Sequence, residues 1–135
     1  MELADTSAWT NRHKNPAVDN DFQARILAGE IATCPMVTME LLWTAQSGRE
    51  FEELREELSA LPQLAIDAGT WDRAIDVWHE LAVLGRHRQV KIQDLLVAAT
   101  AELAGIPVCH YDNDFQAIAE VTGQPERPIA SIGSL

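Results

Sequence analysis

The sequence predicts an α/β chain of three layers, α/β/α, around a mostly parallel sheet of about five strands. Three observations carry that expectation. Short apolar runs alternate with amphipathic stretches of about ten residues or more, the spacing of strand–helix–strand crossovers. The run IPVCHY, Ile106 to Tyr111, lacks polar alternation, as a strand covered on both faces does. Before it, Asp94, Leu95, Ala98, Ala99 and Glu102 recur at helical spacing, Ala101 and Ala104 keep that helix thin for close packing, and Gly105 stops it.

Taken in order, Glu2 to Ala4 form a short first strand ending at Asp5, and Trp9 begins a brief helical turn. Arg12, His13 and Lys14 make a small cationic cluster before Pro16 opens a helix of about 13 residues, with Phe22, Ile26 and Leu27 apolar. Residues 31–34, IATC, are a second strand closed by Pro35. The VTMELLWTAQ segment is helical, with Val37, Leu41 and Thr44 on one line and Met39, Leu42 and Trp43 widening its buried side. Residues 49–61 form a charged helix with a Phe51, Leu54, Leu58, Leu61 stripe, and its many glutamates read as a solvated face. QLAI is a third candidate strand. A helix from Gly69 to Leu84 then buries Trp71, Ile75, Trp78 and Leu81 or Ala82. After the strand at Pro107 to Tyr111, a helix runs from Asn113 to Thr122, and PIASI is a final edge strand with Pro128 at its start.

At 135 residues the chain is sized for one domain, 1–135, that buries a core without disulfides or a structural metal. Cys34 and Cys109, far apart and outside any CxxC pattern, read as buried free thiols in a reducing cytoplasm. No apolar run approaches the roughly 18 residues of a membrane span, and the first residues lack the basic start and apolar core of a secretory signal. The expected setting is therefore cytoplasmic, with no membrane contact. A net charge of −11 argues against a broad nucleic-acid-binding surface, so any such contact has to be local. Gly85 to Lys91, with Arg86, Arg88 and Lys91, is the densest positive segment. It is either a solvated loop at a helix end or a phosphate-contacting loop.

Four acids carry the chemistry, Asp5, Glu40, Asp94 and Asp112, with Asp114 as a fifth candidate. Asp5, Asp94 and Asp112 also suit helix N-caps, and Glu40 either borders an apolar face or lies within it. Convergence argues for a site. In a parallel sheet the forward strands end on one edge, which brings Asp5 and Asp112 together, and helices starting there bring Glu40 and Asp94. Clustered carboxylates repel one another unless a divalent cation neutralises them, and an all-oxygen donor set suits Mg²⁺ or Mn²⁺. Such a site serves phosphodiester hydrolysis, with Arg12, Lys14, Arg86, Arg88 and Lys91 as cations at its rim.

Four motifs in this order, DTSAW at Asp5, TMELL around Glu40, QDLLVAATAELAGIPV around Asp94 and HYDNDFQAIAEVTGQP around Asp112, resemble the PIN-domain ribonucleases, and among them the VapC-type toxins of type II toxin–antitoxin (VapBC) pairs. The resemblance spans essentially the whole chain. It implies a PIN fold, Mg²⁺- or Mn²⁺-dependent endoribonuclease activity on tRNA, rRNA or mRNA that inhibits translation and growth, neutralisation by a VapB-type antitoxin, and a homodimer. It assigns Asp5, Glu40, Asp94 and Asp112 to catalysis, Asp5, Asp94, Asp112 and Asp114 to the metal, and Thr6 or Ser7 to a supporting hydroxyl. Glu2 departs from the pattern, being polar where the first strand is usually apolar. The alternative within this fold is a catalytically inactive PIN-like module that acts by binding protein. Other folds fit less well. A phosphoacceptor domain built on Asp5 and Asp67 lacks a lysine after Lys91, position 7 is Ser rather than the second acid of a DxD phosphatase, and no Gly-rich phosphate loop occurs.

Overall fold

Strand pairing in the computed structural model, which describes all residues 1–135, gives one four-stranded parallel sheet in the order β2-β1-β3-β4. The strands are β1 (Glu2–Ala4), β2 (Ile31–Ala32), β3 (Val108–His110) and β4 (Glu126–Pro128). Seven α-helices connect them: α1 (Thr6–Asn11), α2 (Pro16–Leu27), α3 (Pro35–Leu42), α4 (Gly48–Ser59), α5 (Ala68–Val83), α6 (Ile92–Ala104) and α7 (Asn113–Thr122). QLAI contributes only one bridge, Thr33 to Gln63, so the fifth strand is rudimentary. The last strand also lies earlier than PIASI. Pro128 ends β4 instead of starting it, at an edge where its missing N–H costs no ladder bond.

Alternation along the strands sorts the layers. Leu3 and Val108 face one way, into a core shared with α3 to α7, whereas Ala4, Ile31 and Cys109 face the other, against Ala8 and Phe22 of α1 and α2. Glu2 is buried on that second side, paired with Arg25 of α2 and with Arg127 of β4. A polar residue is thus held in the first strand by a cation on each side, which meets the cost of burying its charge. Helix α6 is buried from Asp94 to Ala101, because its alanines let α5, α7 and the sheet approach. Gly105, at φ 71°, turns the chain out of α6 in a conformation that a side chain would strain.

Two apolar faces differ from expectation. On α5 the buried line is Thr70, Ala74, Val77 and Leu81, one residue earlier than the tryptophan line, and Trp71 and Ile75 are exposed. On α3, Val37, Leu41 and Leu42 are buried, while Met39, on the opposite face, and Trp43, just past the helix end, reach solvent. Leu27 is exposed as well. Both cysteines are buried free thiols, and burial pushes the Cys109 thiol up to about 12. No helix is long and apolar enough to cross a membrane.

Candidate metal centre

The parallel register sets the site. β1 and β3 are hydrogen-bonded neighbours, and the Asp5 amide donates to the Cys109 carbonyl at 2.9 Å, so the chain leaves both strands side by side. Asp5 caps α1, its Oδ2 accepting the Ser7 amide at 2.9 Å. Asp112 caps α7, its Oδ1 accepting the Asp114 amide at 2.9 Å. The capping roles and the site roles thus coincide in the same residues. Asp94 sits in the first turn of α6, buried, with its carboxylate directed at this edge.

Asp94, Asp112 and Asp114 each bring one carboxylate oxygen within 4.8 Å of the other two, a spacing able to hold a metal ion. Asp5 and Glu40 adjoin this group. The Asp5 charge acts on both Asp94 and Glu40, and Thr6 stands beside the Glu40 carboxylate. Asp5 Oδ1, Glu40 Oε1, Thr6 Oγ1 and Asp94 Oδ2 are all buried without a hydrogen-bond partner. Unpaired buried oxygens are costly, and a cation held by Asp94, Asp112 and Asp114 would satisfy Asp94 Oδ2, an all-oxygen donor set that fits Mg²⁺ or Mn²⁺.

The electrostatics agree. Burial holds Asp5 above the ordinary carboxylate range, against the amide it accepts from Ser7. Burial and then the charge of Asp5 raise Glu40. Burial, the contact with Asp114 and the charge of Asp5 push Asp94 up to about 9. For Asp114 burial acts upward but is outweighed by hydrogen bonds from Asp94 and Lys91, and its carboxyl lies below the usual range. The cluster therefore retains a proton near neutrality unless a cation replaces it.

The supporting groups divide. Ser7 Oγ accepts the Tyr111 amide at 2.9 Å, tying α1 to the end of β3. The expected rim cations do not act alike. Arg12 is buried, its guanidinium held by Asp19 and Gln23 and lying 4.7 Å over the Phe22 ring, so it braces the end of α1 against α2 and makes no contact with the acidic cluster. Arg86 is paired with Glu120 and Gln89, while Lys14 and Arg88 are exposed. Lys91 turns inward, its Nζ 2.9 Å from both Asp112 Oδ2 and Asp114 Oδ2 and 3.2 Å from Asp94 Oδ2. The sequence contained the signal for this in the three-residue step from Lys91 to Asp94.

His110 was not apparent as a site residue. It is fully buried, accepts the Asp112 amide at Nδ1 and faces Glu126 through Nε2. A histidine two residues before an acid was the visible half of that arrangement. Glu126 arrives from a strand whose position the sequence did not reveal.

The model of the PIN domain matches residues 3–121. Ribonuclease VapC18 of Mycobacterium tuberculosis is 41% identical over 133 residues, covering 97% of this chain and 96% of the relative. Ribonuclease VapC21 of the same species is 36% identical, covering 98% and 96%. Among solved structures, DNA-bound VapBC from Salmonella typhimurium superposes with a TM-score of 0.75 at 21% identity, over 96% of this chain and 100% of that one. VapBC-5 from M. tuberculosis gives 0.65 at 22% identity, over 94% and 95%.

Proposed function

The chain belongs to the PIN-domain family, with VapC ribonucleases among its relatives, and from that premise we propose that it is a metal-dependent endoribonuclease toxin neutralised by a cognate VapB-type antitoxin. Its substrate is tRNA, rRNA or mRNA, and its effect is to stop translation and growth in the cytoplasm. One observation carries the reading: Asp94, Asp112 and Asp114 meet closely enough to share a metal ion, with Asp5 and Glu40 beside them, and Asp5 Oδ1, Glu40 Oε1 and Asp94 Oδ2 are buried without a hydrogen-bond partner.

Asp94, Asp112 and Asp114, with Asp5 beside them, would hold Mg²⁺ or Mn²⁺. Bound there, the cation supplies Lewis-acid polarisation of the scissile phosphate and makes a water acidic enough to act as nucleophile near neutral pH. Glu40, beside Asp5 and kept above the usual carboxylate range by burial, would take up a proton from the attacking water. Ser7 holds the entry to α1 in place, which keeps Asp5 aimed at the cluster, while the Thr6 hydroxyl stands beside Glu40. Arg88 and Lys14, both exposed, would supply phosphate contacts that position the RNA without reading its sequence.

The partners follow from the surface. A groove of about 730 Å³ between α1–α2 and α3–α4, lined by Trp9, Ile26, Leu41, Leu54 and Leu58, suits the apolar face of an antitoxin helix. Trp71 and Ile75, exposed on α5, are an apolar surface for a second copy in a homodimer.

The test is cleavage of total cellular RNA by the antitoxin-free protein with Mn²⁺ or Mg²⁺, with EDTA, and with Asp94→Asn in parallel. Discrete fragments that require the metal and vanish in the variant are expected. Intact RNA after incubation with folded, metal-loaded protein would favour the inactive binding module.

A further inference from the structure

We propose that Lys91 is a tethered cation: it neutralises the Asp94, Asp112 and Asp114 end of the cluster while no metal is bound, and a divalent ion enters by displacing its ammonium group. The inference rests on the metal-site reading above. Its basis is positional. The three acids whose oxygens lie close enough to share a metal ion are the same three that surround Lys91 Nζ, at 2.9, 2.9 and 3.2 Å. The ammonium group therefore stands where a cation belongs.

It is an imperfect occupant. One ammonium group is shared among three acids, and Asp94 Oδ2 stays without a true hydrogen bond although Nζ is near. A divalent ion supplies more charge and accepts oxygen donors from several directions, so it outcompetes a single ammonium group.

The acids are fixed and the lysine is free to leave. Asp94 is built into α6, Asp112 caps α7, and Asp114 Oδ2 also accepts the Lys91 backbone amide at 2.9 Å, a bond that survives loss of the ammonium contact. The Lys91 side chain is 54% exposed, against 5% for Asp94, and only its flexible stem needs to move. Once displaced, its charge stands at the cleft mouth, where a substrate phosphate is its next partner. Metal loading thereby creates a phosphate contact that the metal-free protein does not offer.

The experiment is titration of Mn²⁺ into the metal-free full chain, followed by electron paramagnetic resonance and by thermal melting, for the wild type, Lys91→Met, Lys91→Arg and Asp94→Asn. Lys91→Met should bind Mn²⁺ about tenfold more tightly and melt at a lower temperature without metal, while Lys91→Arg keeps the wild-type affinity. A second readout uses the wild type alone: acylation of the Lys91 amine, followed by mass spectrometry, should accelerate when Mn²⁺ is added. Unchanged or weaker Mn²⁺ affinity in Lys91→Met, or an acylation rate that Mn²⁺ leaves unaltered, would overturn the inference. If Asp94→Asn abolishes Mn²⁺ binding in that same series, the metal-site reading survives alone. Absence of Mn²⁺ binding to every protein would overturn both.

Discussion

The Asp112 backbone amide donates to His110 Nδ1 across 3.1 Å, which locks the last residue of β3 to the acid that opens α7. With Nδ1 accepting, the proton of the neutral ring lies on Nε2 and points at Glu126 of β4. A side chain from the sheet edge thus reaches the site through one ring. His110→Leu should leave the Asp112 amide and the Glu126 carboxylate unmatched and lower stability by about 1–3 kcal/mol, measured by urea unfolding. A loss well below that range would mean that water replaces the ring and that His110 does not hold Asp112.

The raised carboxyls of Asp5, Glu40 and Asp94 make stability depend on pH in a definite sense. A folded-state pKa above the unfolded value means that the folded chain binds more protons, so stability falls as pH rises between the two values. For Asp94, raised to about 9, the decline spans the neutral range. Lowered Asp114 and raised Lys91 act outside that window, below the ordinary Asp value and above the ordinary Lys value. Metal-free protein should therefore melt at a lower temperature at pH 8 than at pH 6, and Mn²⁺ should restore it. Asp94→Asn should flatten the pH dependence. A wild-type melting temperature that rises with pH in EDTA would show that these acids are not strained by burial.

The buried line of α5 predicts an asymmetric mutational response. Leu81 is fully buried, and Leu81→Ala should cost about 2–5 kcal/mol. Ile75 is exposed, and Ile75→Ala should change monomer stability by about 0.5 kcal/mol or less. Chemical denaturation of both variants decides the matter, and equal losses would return the buried face to the tryptophan line.

The basic residues separate in the same way. Arg88→Ala should weaken RNA binding across sequences and reduce the slope of log affinity against log salt by about 1, as loss of one phosphate contact does. Arg12→Ala should act on stability, since its guanidinium is held by Asp19 and Gln23 inside the fold. Filter binding over a salt series, with melting curves beside it, distinguishes the two. A salt slope lowered by Arg12→Ala without loss of stability would put Arg12 at the RNA.

The legible parts of this molecule were those set by local chemistry. β1 and α7 have the expected extents, and β3 lies within the expected run but is shorter by one residue at each end, because a buried apolar run and a Gly-terminated amphipathic helix leave few alternatives. The gathering of Asp94, Asp112 and Asp114 was legible because segments that leave the strands of a parallel sheet converge on one edge, whatever the strand order. Long-range pairing was not. QLAI has strand composition but makes one bridge, since Thr33 alone reaches it. The α5 face was displaced because tryptophan is apolar by composition yet stands half exposed here, and small residues Thr70 and Ala74 fill the narrow space against α6. Lys91 and Arg12 were sorted by charge alone. Their partners, Asp112 and Asp19, became visible only when the chain was folded.

The most direct measurement is anomalous diffraction from Mn²⁺-soaked crystals of the full chain. The account predicts one or two peaks at the sheet edge, with carboxylate oxygens of Asp5, Asp94, Asp112 or Asp114 about 2.0–2.3 Å away, and with Lys91 Nζ moved out of the cluster. Peaks confined to surface glutamates of α4, or no peak at the edge in protein that still cleaves RNA, would contradict it.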